Sequence, residues 1–155
     1  MFPHCVVADN TMLEPAVQYK LNVPEPALAI KEFSRLIKKG GKLILTAPFC
    51  SLTHFAPYYY GNGYSKYWYQ DILKKYDFTI VKLSTNGNYF DYLRQEIDRL
   101  ELVINQYSRI NIFHRLLLRF TRAILGVILI TASKKDTASD ELLCFGLHVI
   151  ATKNT

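Results

Sequence analysis

An amphipathic helical pattern that runs into two glycines and on into an apolar strand constrains this chain more than any other feature. Pro26 suits the first turn of a helix, and Ala27 through Lys39 then sets Ile30, Phe33 and Ile37 on one face. Lys38 and Lys39 fall in the last turn, where the helix dipole favours cations, and Gly40-Gly41 supplies a left-handed cap. Lys42 through Phe49 follows as a continuous apolar run reaching Pro48. A helix closed by Gly-Gly and followed at once by a buried-type strand predicts an α/β protein with a parallel sheet.

The flanking segments add elements to that unit. Residues 1–21 have no sustained period and allow one short strand at Cys5–Ala8. Cys50 to Tyr69 reads as a long loop, turned at Gly61-Asn62-Gly63, that holds six of the 11 tyrosines and the single Trp68. A helix over about 66–75 and a strand over 78–83 follow, and Asn86-Gly87-Asn88 breaks the chain again. Residues 89–132 read as helical with a break at Ser108 to Asn111, and Leu142–Ala151 reads as a closing strand.

Charge is concentrated in one of these segments. The 155 residues carry 19 Lys+Arg against 13 Asp+Glu, a net +6. Arg109, Arg115, Arg119, Arg122, Lys134 and Lys135 lie between Leu102 and the polar loop at Asp136 with no acid among them, so the rest of the chain is balanced. A nucleic-acid surface needs bases interleaved with aromatic rings, yet only Lys66 lies between Cys50 and Gln70, and no nucleic-acid partner is expected. Arg115, Arg119 and Arg122 share one helical face and mark a membrane or partner surface: an interfacial helix on anionic headgroups, or a helical insertion packed on protein. The uncharged run Ala123 to Ala132 is ten residues, about 15 Å, against a hydrocarbon core of roughly 30 Å, which argues against a span.

Few residues offer chemistry by type and spacing. His54 follows the end of a strand in a polar–aromatic loop, where a neutral imidazole could take a proton from a substrate hydroxyl or simply bond to backbone. The tyrosine cluster is either a stacking platform or a lid over the sheet edge. His148 alternates within a strand and is expected to be packed. His4, His54, His114 and His148 are scattered without paired acids, so no metal site is expected. Cys5, Cys50 and Cys144 form no ligand or redox spacing, Cys50 and Cys144 lie in apolar runs that suit buried thiols, and the N-terminus lacks the pattern of a signal peptide. A cytoplasmic location, peripheral at the membrane if the arginine face binds lipid, is the expectation.

The stretch VPEPALAIKEFSRLIKKGGKLILT (residues 23–46) resembles a segment of the class I S-adenosylmethionine-dependent methyltransferases of the type 11-like group. The resemblance continues through Ala47-Pro48-Phe49-Cys50-Ser51-Leu52-Thr53-His54-Phe55-Ala56-Pro57-Tyr58, Asn86-Gly87-Asn88-Tyr89-Phe90 and Gly146-Leu147-His148-Val149-Ile150-Ala151, over about residues 22–153. It implies that Lys42 onward is the fifth strand of a Rossmann-like sheet, that residues 89–135 are a helical insertion before the last strand, and that residues 1–21 are a divergent segment. It also implies S-adenosylmethionine as cofactor, with Asn22, Val23 and Pro24 as candidates beside it, and Thr53, His54, Tyr58 and Tyr64 facing the methyl acceptor.

Two departures stand out. The glycine-rich turn after the family's first strand and the acid ending its second strand have no counterpart here, and Leu21-Asn22 replaces an acid-His pair. The resemblance therefore covers the C-terminal half of the family's fold: a truncated methyltransferase acting on a small or glycan-type acceptor, with His54 as the one candidate catalytic group. The alternative is a non-catalytic remnant or partner subunit that binds a complete homologue, a second copy or an anionic membrane. A sheet lacking its central first strand would also expose an edge, an association hazard.

Overall fold

The computed structural model describes residues 6–8, 24–53 and 56–154. The described part is α/β and divides into two compact units, residues 1–86 with 145–155 and residues 87–144. The first unit contains β1 (Val6–Ala8), α1 (Pro26–Leu36), β2 (Lys42–Pro48), α2 (Lys66–Lys75), β3 (Phe78–Asn86) and β4 (Gly146–Lys153). The second contains α3 (Tyr89–Tyr107), α4 (Ile112–Lys134) and a short 3-10 turn at Ser139–Glu141.

The helix–Gly-Gly–strand unit forms with a shorter helix than its pattern suggests. The Glu25 carbonyl accepts from the Leu28 and Ala29 amides at 3.1 and 3.3 Å, and Pro26 occupies the first turn. The helix ends at Leu36, so Arg35 is the basic residue of its last turn and Lys38 and Lys39 lie beyond it. Gly40 then takes φ +77°, a conformation that costs an L side chain roughly 1–2 kcal/mol, while the Gly41 amide donates to the Lys38 carbonyl. The reversal drops the chain directly into β2.

The sheet order is β1-β2-β4-β3, and every neighbouring pair is antiparallel. The expected parallel pairing is thereby corrected. β2 and β3, joined through α2, both oppose β4 and so run in the same direction, but β4 lies between them and supplies the hydrogen bonds to each. The register sets Leu45 opposite Val149 and Leu83 opposite Val149 across the two ladders, with a bulge between Ile80 and Lys82. β1 pairs with β2 through Val6↔Ile44, Val7↔Leu43 and Ala8↔Lys42, so β2 lies inside the sheet and β1 and β3 are its edges. The short strand at Cys5–Ala8 forms over Val6–Ala8.

The core lies on one face of this sheet. Leu43, Leu45 and Ala47 of β2 and Leu147, Val149 and Ala151 of β4 meet Ile30 and Ile37 from α1 and its exit, and Tyr69, Ile72 and Leu73 from α2. The alternate residues Ile44, Thr46, His148 and Ile150 are on the other face, half-buried or exposed. An apolar run read as buried on both sides is thus buried on one, as antiparallel sheets permit. His148 is exposed rather than packed, with Nδ1 3.0 Å from the Thr46 hydroxyl. Neither Cys50 nor Cys144 lies in a strand: Cys50 follows β2 half-buried, and Cys144 is buried just before β4.

The chain leaves the first unit after β3 and returns at β4. The Phe145 amide donates to the Asn86 carbonyl at 2.9 Å, and Phe49 donates to the Phe145 carbonyl at 3.1 Å, so departure and return are stitched together. Everything between them, residues 87–144, is the helical unit.

Candidate functional site

Residues 49–65 connect the carboxyl end of β2 to α2 and carry most of the aromatic candidates. Tyr59 organises the described part of this loop. Its hydroxyl donates to the Ser51 carbonyl at 2.9 Å and also bonds to the Asn62 side chain, whose Oδ1 accepts from the Ser51 amide at 3.2 Å. Gly63 brings the loop against the end of β2: a Cβ there would lie 1.4 Å from the Pro48 carbonyl oxygen, so only glycine allows that approach. Ser65 precedes α2, whose amides at Trp68 and Tyr69 donate back to the Ser65 carbonyl.

The aromatic residues form a graded stack at the start of α2. Tyr64 lies over Trp68 with ring centres 4.2 Å apart and planes 23° off parallel, and Trp68 meets Tyr69 edge-on at 4.9 Å. Tyr69 is buried, and burial first, then the nearby Tyr64, pushes its phenol far above the ordinary tyrosine range. It is a core ring whose phenol stays protonated. Tyr58, Tyr60, Tyr64 and Tyr67 are exposed. Part of the tyrosine cluster is therefore core and part is a wet aromatic surface.

Of the residues expected to face a methyl acceptor, Thr53, Tyr58 and Tyr64 all belong to this connection and are exposed, and no hydrogen bond among the described residues joins them to one another. His54, the catalytic candidate, lies outside the described residues, as do Asn22 and Val23. Pro24 is exposed, two residues ahead of α1. Among the described residues no group of three or more His, Cys, Asp or Glu side chains could hold a metal.

A cofactor cradle needs glycines where a backbone approaches a phosphate or a methionine moiety. The glycines of this unit do other work. Gly40 turns the chain at the start of β2, and Gly63 and Gly146 admit the close approach of other backbone, Pro48 and Ala47.

The second unit holds the arginine stripe. Asn88 caps α3 by accepting from the Asp91 amide at 3.1 Å, and Asn111 caps α4 by accepting from the His114 amide at 3.0 Å. The two helices form an antiparallel hairpin tied at both ends and in the middle. Ser133 donates to Asp91 at 2.8 Å and accepts from the Asn88 amide nitrogen at 3.1 Å. Arg119 Nη2 donates to Glu101 Oε1 at 2.8 Å, Arg122 lies 3.7 Å from Asp98 and 3.4 Å from Glu101, and Arg115 donates to Asn105 Oδ1 at 2.7 Å. The stripe is directed at α3. The hydrogen bond and charge of Arg119 hold the Glu101 carboxyl below the ordinary glutamate range, and the same pair raises Arg119.

α4 is longer than its uncharged run implied. It spans 23 residues, and an 18-residue window within it reaches a mean hydropathy of 1.8 with 6% of that window buried. By length and composition alone this helix could cross a membrane, which counting the ten uncharged residues did not foresee. No protein-family model matches the chain, and no curated protein matches it.

Proposed function

We propose that the first unit is the later part of a Rossmann-like methyltransferase sheet and serves the methyl acceptor, a small or glycan-type molecule. The observation that carries this reading is the run α1, the left-handed turn at Gly40, β2 and an aromatic loop at the carboxyl end of β2, in the order the family resemblance requires. β2 and β3 point the same way through α2, as a β–α–β crossover does, and ligands of open α/β sheets bind outside the carboxyl ends of such strands. Exposed rings with polar tips, Tyr58, Tyr60 and Tyr64, suit a hydroxylated acceptor.

Methyl transfer is mainly a positioning reaction, in which a nucleophile must be held in line with the donor carbon. The chain's share of that work is the acceptor side. The candidates beside the donor S-adenosylmethionine, Asn22 and Val23, lie outside the described residues, so no transfer step is assigned to this chain alone.

Calorimetric titration with S-adenosylhomocysteine tests the reading. It is run on the chain alone and on the polypeptide extended in frame through the coding region upstream of Met1. Saturable one-site binding in either sample supports a methyltransferase. Silence from both at millimolar ligand overturns it in favour of a non-catalytic partner subunit.

A further inference from the structure

We infer that the α3–α4 hairpin is a membrane-docking device that lies in the plane of an anionic bilayer, with the outer face of α4 against the lipid. The inference is independent of the methyltransferase reading.

Two helices that pair in water ordinarily bury an apolar stripe between them and show their charges to solvent. α4 covers Leu118, Leu125 and Leu129 beside its arginines but leaves a second, broader apolar side uncovered. Its four charged residues are Arg115, Arg119, Arg122 and Lys134. The three arginines engage α3, and Lys134 stands in the last turn. At helical spacing the opposite side is made of Phe113, Leu117, Phe120, Ile124, Val127 and Ile128. All six are exposed, Phe113 at 67% and Phe120 and Val127 at 68%. That side also carries two threonine hydroxyls: Thr131 donates to the Val127 carbonyl of its own helix at 2.8 Å and so needs no outside partner, while Thr121 is exposed.

The chemistry of this face selects lipid over a protein partner. A transient protein interface is about as apolar as ordinary surface and carries polar anchors. This face offers one outward polar group, the Thr121 hydroxyl, and belongs to a helix of span-grade hydropathy that is almost wholly uncovered. Cations stand at both ends: Arg109 precedes α4, and Lys134 and Lys135 close it ahead of the acids Asp136, Asp140 and Glu141, with none of the three cations in a carboxylate pair among the described residues. Beside Arg109, Tyr107 is 77% exposed, an amphipathic ring of the kind found at headgroup level. Apolar length between basic ends complements acyl chains beneath anionic headgroups.

α3 fixes the orientation. It runs antiparallel beside α4 and carries Arg94, Glu96, Asp98, Arg99 and Glu101 along its middle. Those charges cannot enter hydrocarbon. The hairpin therefore lies on the surface with α3 toward water, and the paired arginines of α4 are spared desolvation. The arginine stripe is the seam that fixes the apolar face outward, and the headgroup contacts fall to Arg109, Lys134 and Lys135.

Flotation of the full chain with phosphatidylcholine vesicles, with and without phosphatidylglycerol, tests this. The chain is expected to float with the anionic vesicles and weakly or not at all with the neutral ones. Phe113→Gln with Phe120→Gln abolishes flotation while far-ultraviolet circular dichroism keeps its helical signal, since both side chains are exposed. Arg109→Gln with Lys134→Gln and Lys135→Gln weakens anionic partitioning by about a hundredfold, at roughly fivefold for each cation. No flotation with either vesicle overturns the inference, and so does equal flotation with both. A concentration-dependent dimer in sedimentation that the Phe113 and Phe120 substitutions dissolve, without vesicle binding, assigns the face to a second copy and also overturns it.

Discussion

Arg119 on α4 reaches Glu101 on α3 across 2.8 Å, and this pairing turns the cationic side of α4 inward to its hairpin partner. Arg122 adds a second, longer contact to the same carboxylate at 3.4 Å. One glutamate thus serves two guanidiniums, and the side of α4 opposite them is left mainly to aliphatic and aromatic side chains.

Acid weakens this seam. Because Glu101 titrates below its ordinary range in the folded chain, its pairing stabilises the fold above that range, and the contribution is lost as pH falls through it. Glu101→Gln is expected to melt below the unsubstituted chain at neutral pH, with the gap closing as pH drops past about 4.3. Thermal melts by circular dichroism at several pH values and low salt check this. A gap that persists at low pH would mean that the carboxylate charge is not what the seam uses.

Local pattern made most of the elements legible. The helix at Lys66–Lys75, the strand from Phe78 and the break between Tyr107 and Ile112 follow from apolar spacing, Gly-Asn turns and caps such as Asn88 and Asn111, all set by near neighbours. What depended on distant partners was not legible. Lys42–Pro48 has the composition of a strand buried on both faces, yet its direction relative to its neighbours is set by β4, about a hundred residues later in the chain. The shared face of Arg115, Arg119 and Arg122 could be read from spacing, but what that face meets depends on Asn105, Glu101 and Asp98 of another helix. The aromatic loop shows the same division. Its turn at Gly61-Asn62-Gly63 was evident, whereas the placement of Tyr69 in the core and of Tyr58 in solvent was decided by packing.

Gly63 and Gly61 give a matched pair of substitutions in that loop. Gly63→Ala places a methyl group into the Pro48 backbone, and the loop must move. A loss of about 1–3 kcal/mol is expected in urea unfolding, as for other overpacked sites. Trp68 fluorescence should also shift, since Tyr64 of the neighbouring segment stacks on it. Gly61→Ala meets open space and should fall within about 0.5 kcal/mol of the parent. Equal effects at the two positions would refute the close approach.

Lys153 ties three elements of the first unit together from the end of β4. Its Nζ donates to Ser34 Oγ at 2.9 Å, to Asp77 Oδ2 at 3.2 Å and to the Tyr76 carbonyl at 3.3 Å, and lies 5.5 Å from the Phe78 ring centre. Asp77 sits in the left-handed region at φ +66°, where the turn from α2 into β3 reverses. Lys153→Ala is expected to cost about 2–3 kcal/mol, because buried bonds to charged groups are lost along with the stem's packing. Lys153→Met keeps the stem but still removes the ammonium from Ser34, Tyr76 and Asp77, and should cost about 1–2 kcal/mol, less than Lys153→Ala. Equilibrium urea unfolding distinguishes them; equal losses would show that the ammonium, and not the stem, carries the whole effect.

Tyr69 separates ring packing from phenol chemistry. The ring is 1% exposed and meets Trp68 edge-on, but no hydrogen bond to its hydroxyl comes from the described residues. A buried hydroxyl without a partner costs desolvation and returns nothing, so Tyr69→Phe should match or exceed the parent in stability. Tyr69→Ala removes the ring and should cost about 3–5 kcal/mol, the range for large aromatic truncations in a core. Urea unfolding of both variants is the measurement. If Tyr69→Phe lost more than about 1.5 kcal/mol, the phenol would have a bonded partner and a polar role in this core.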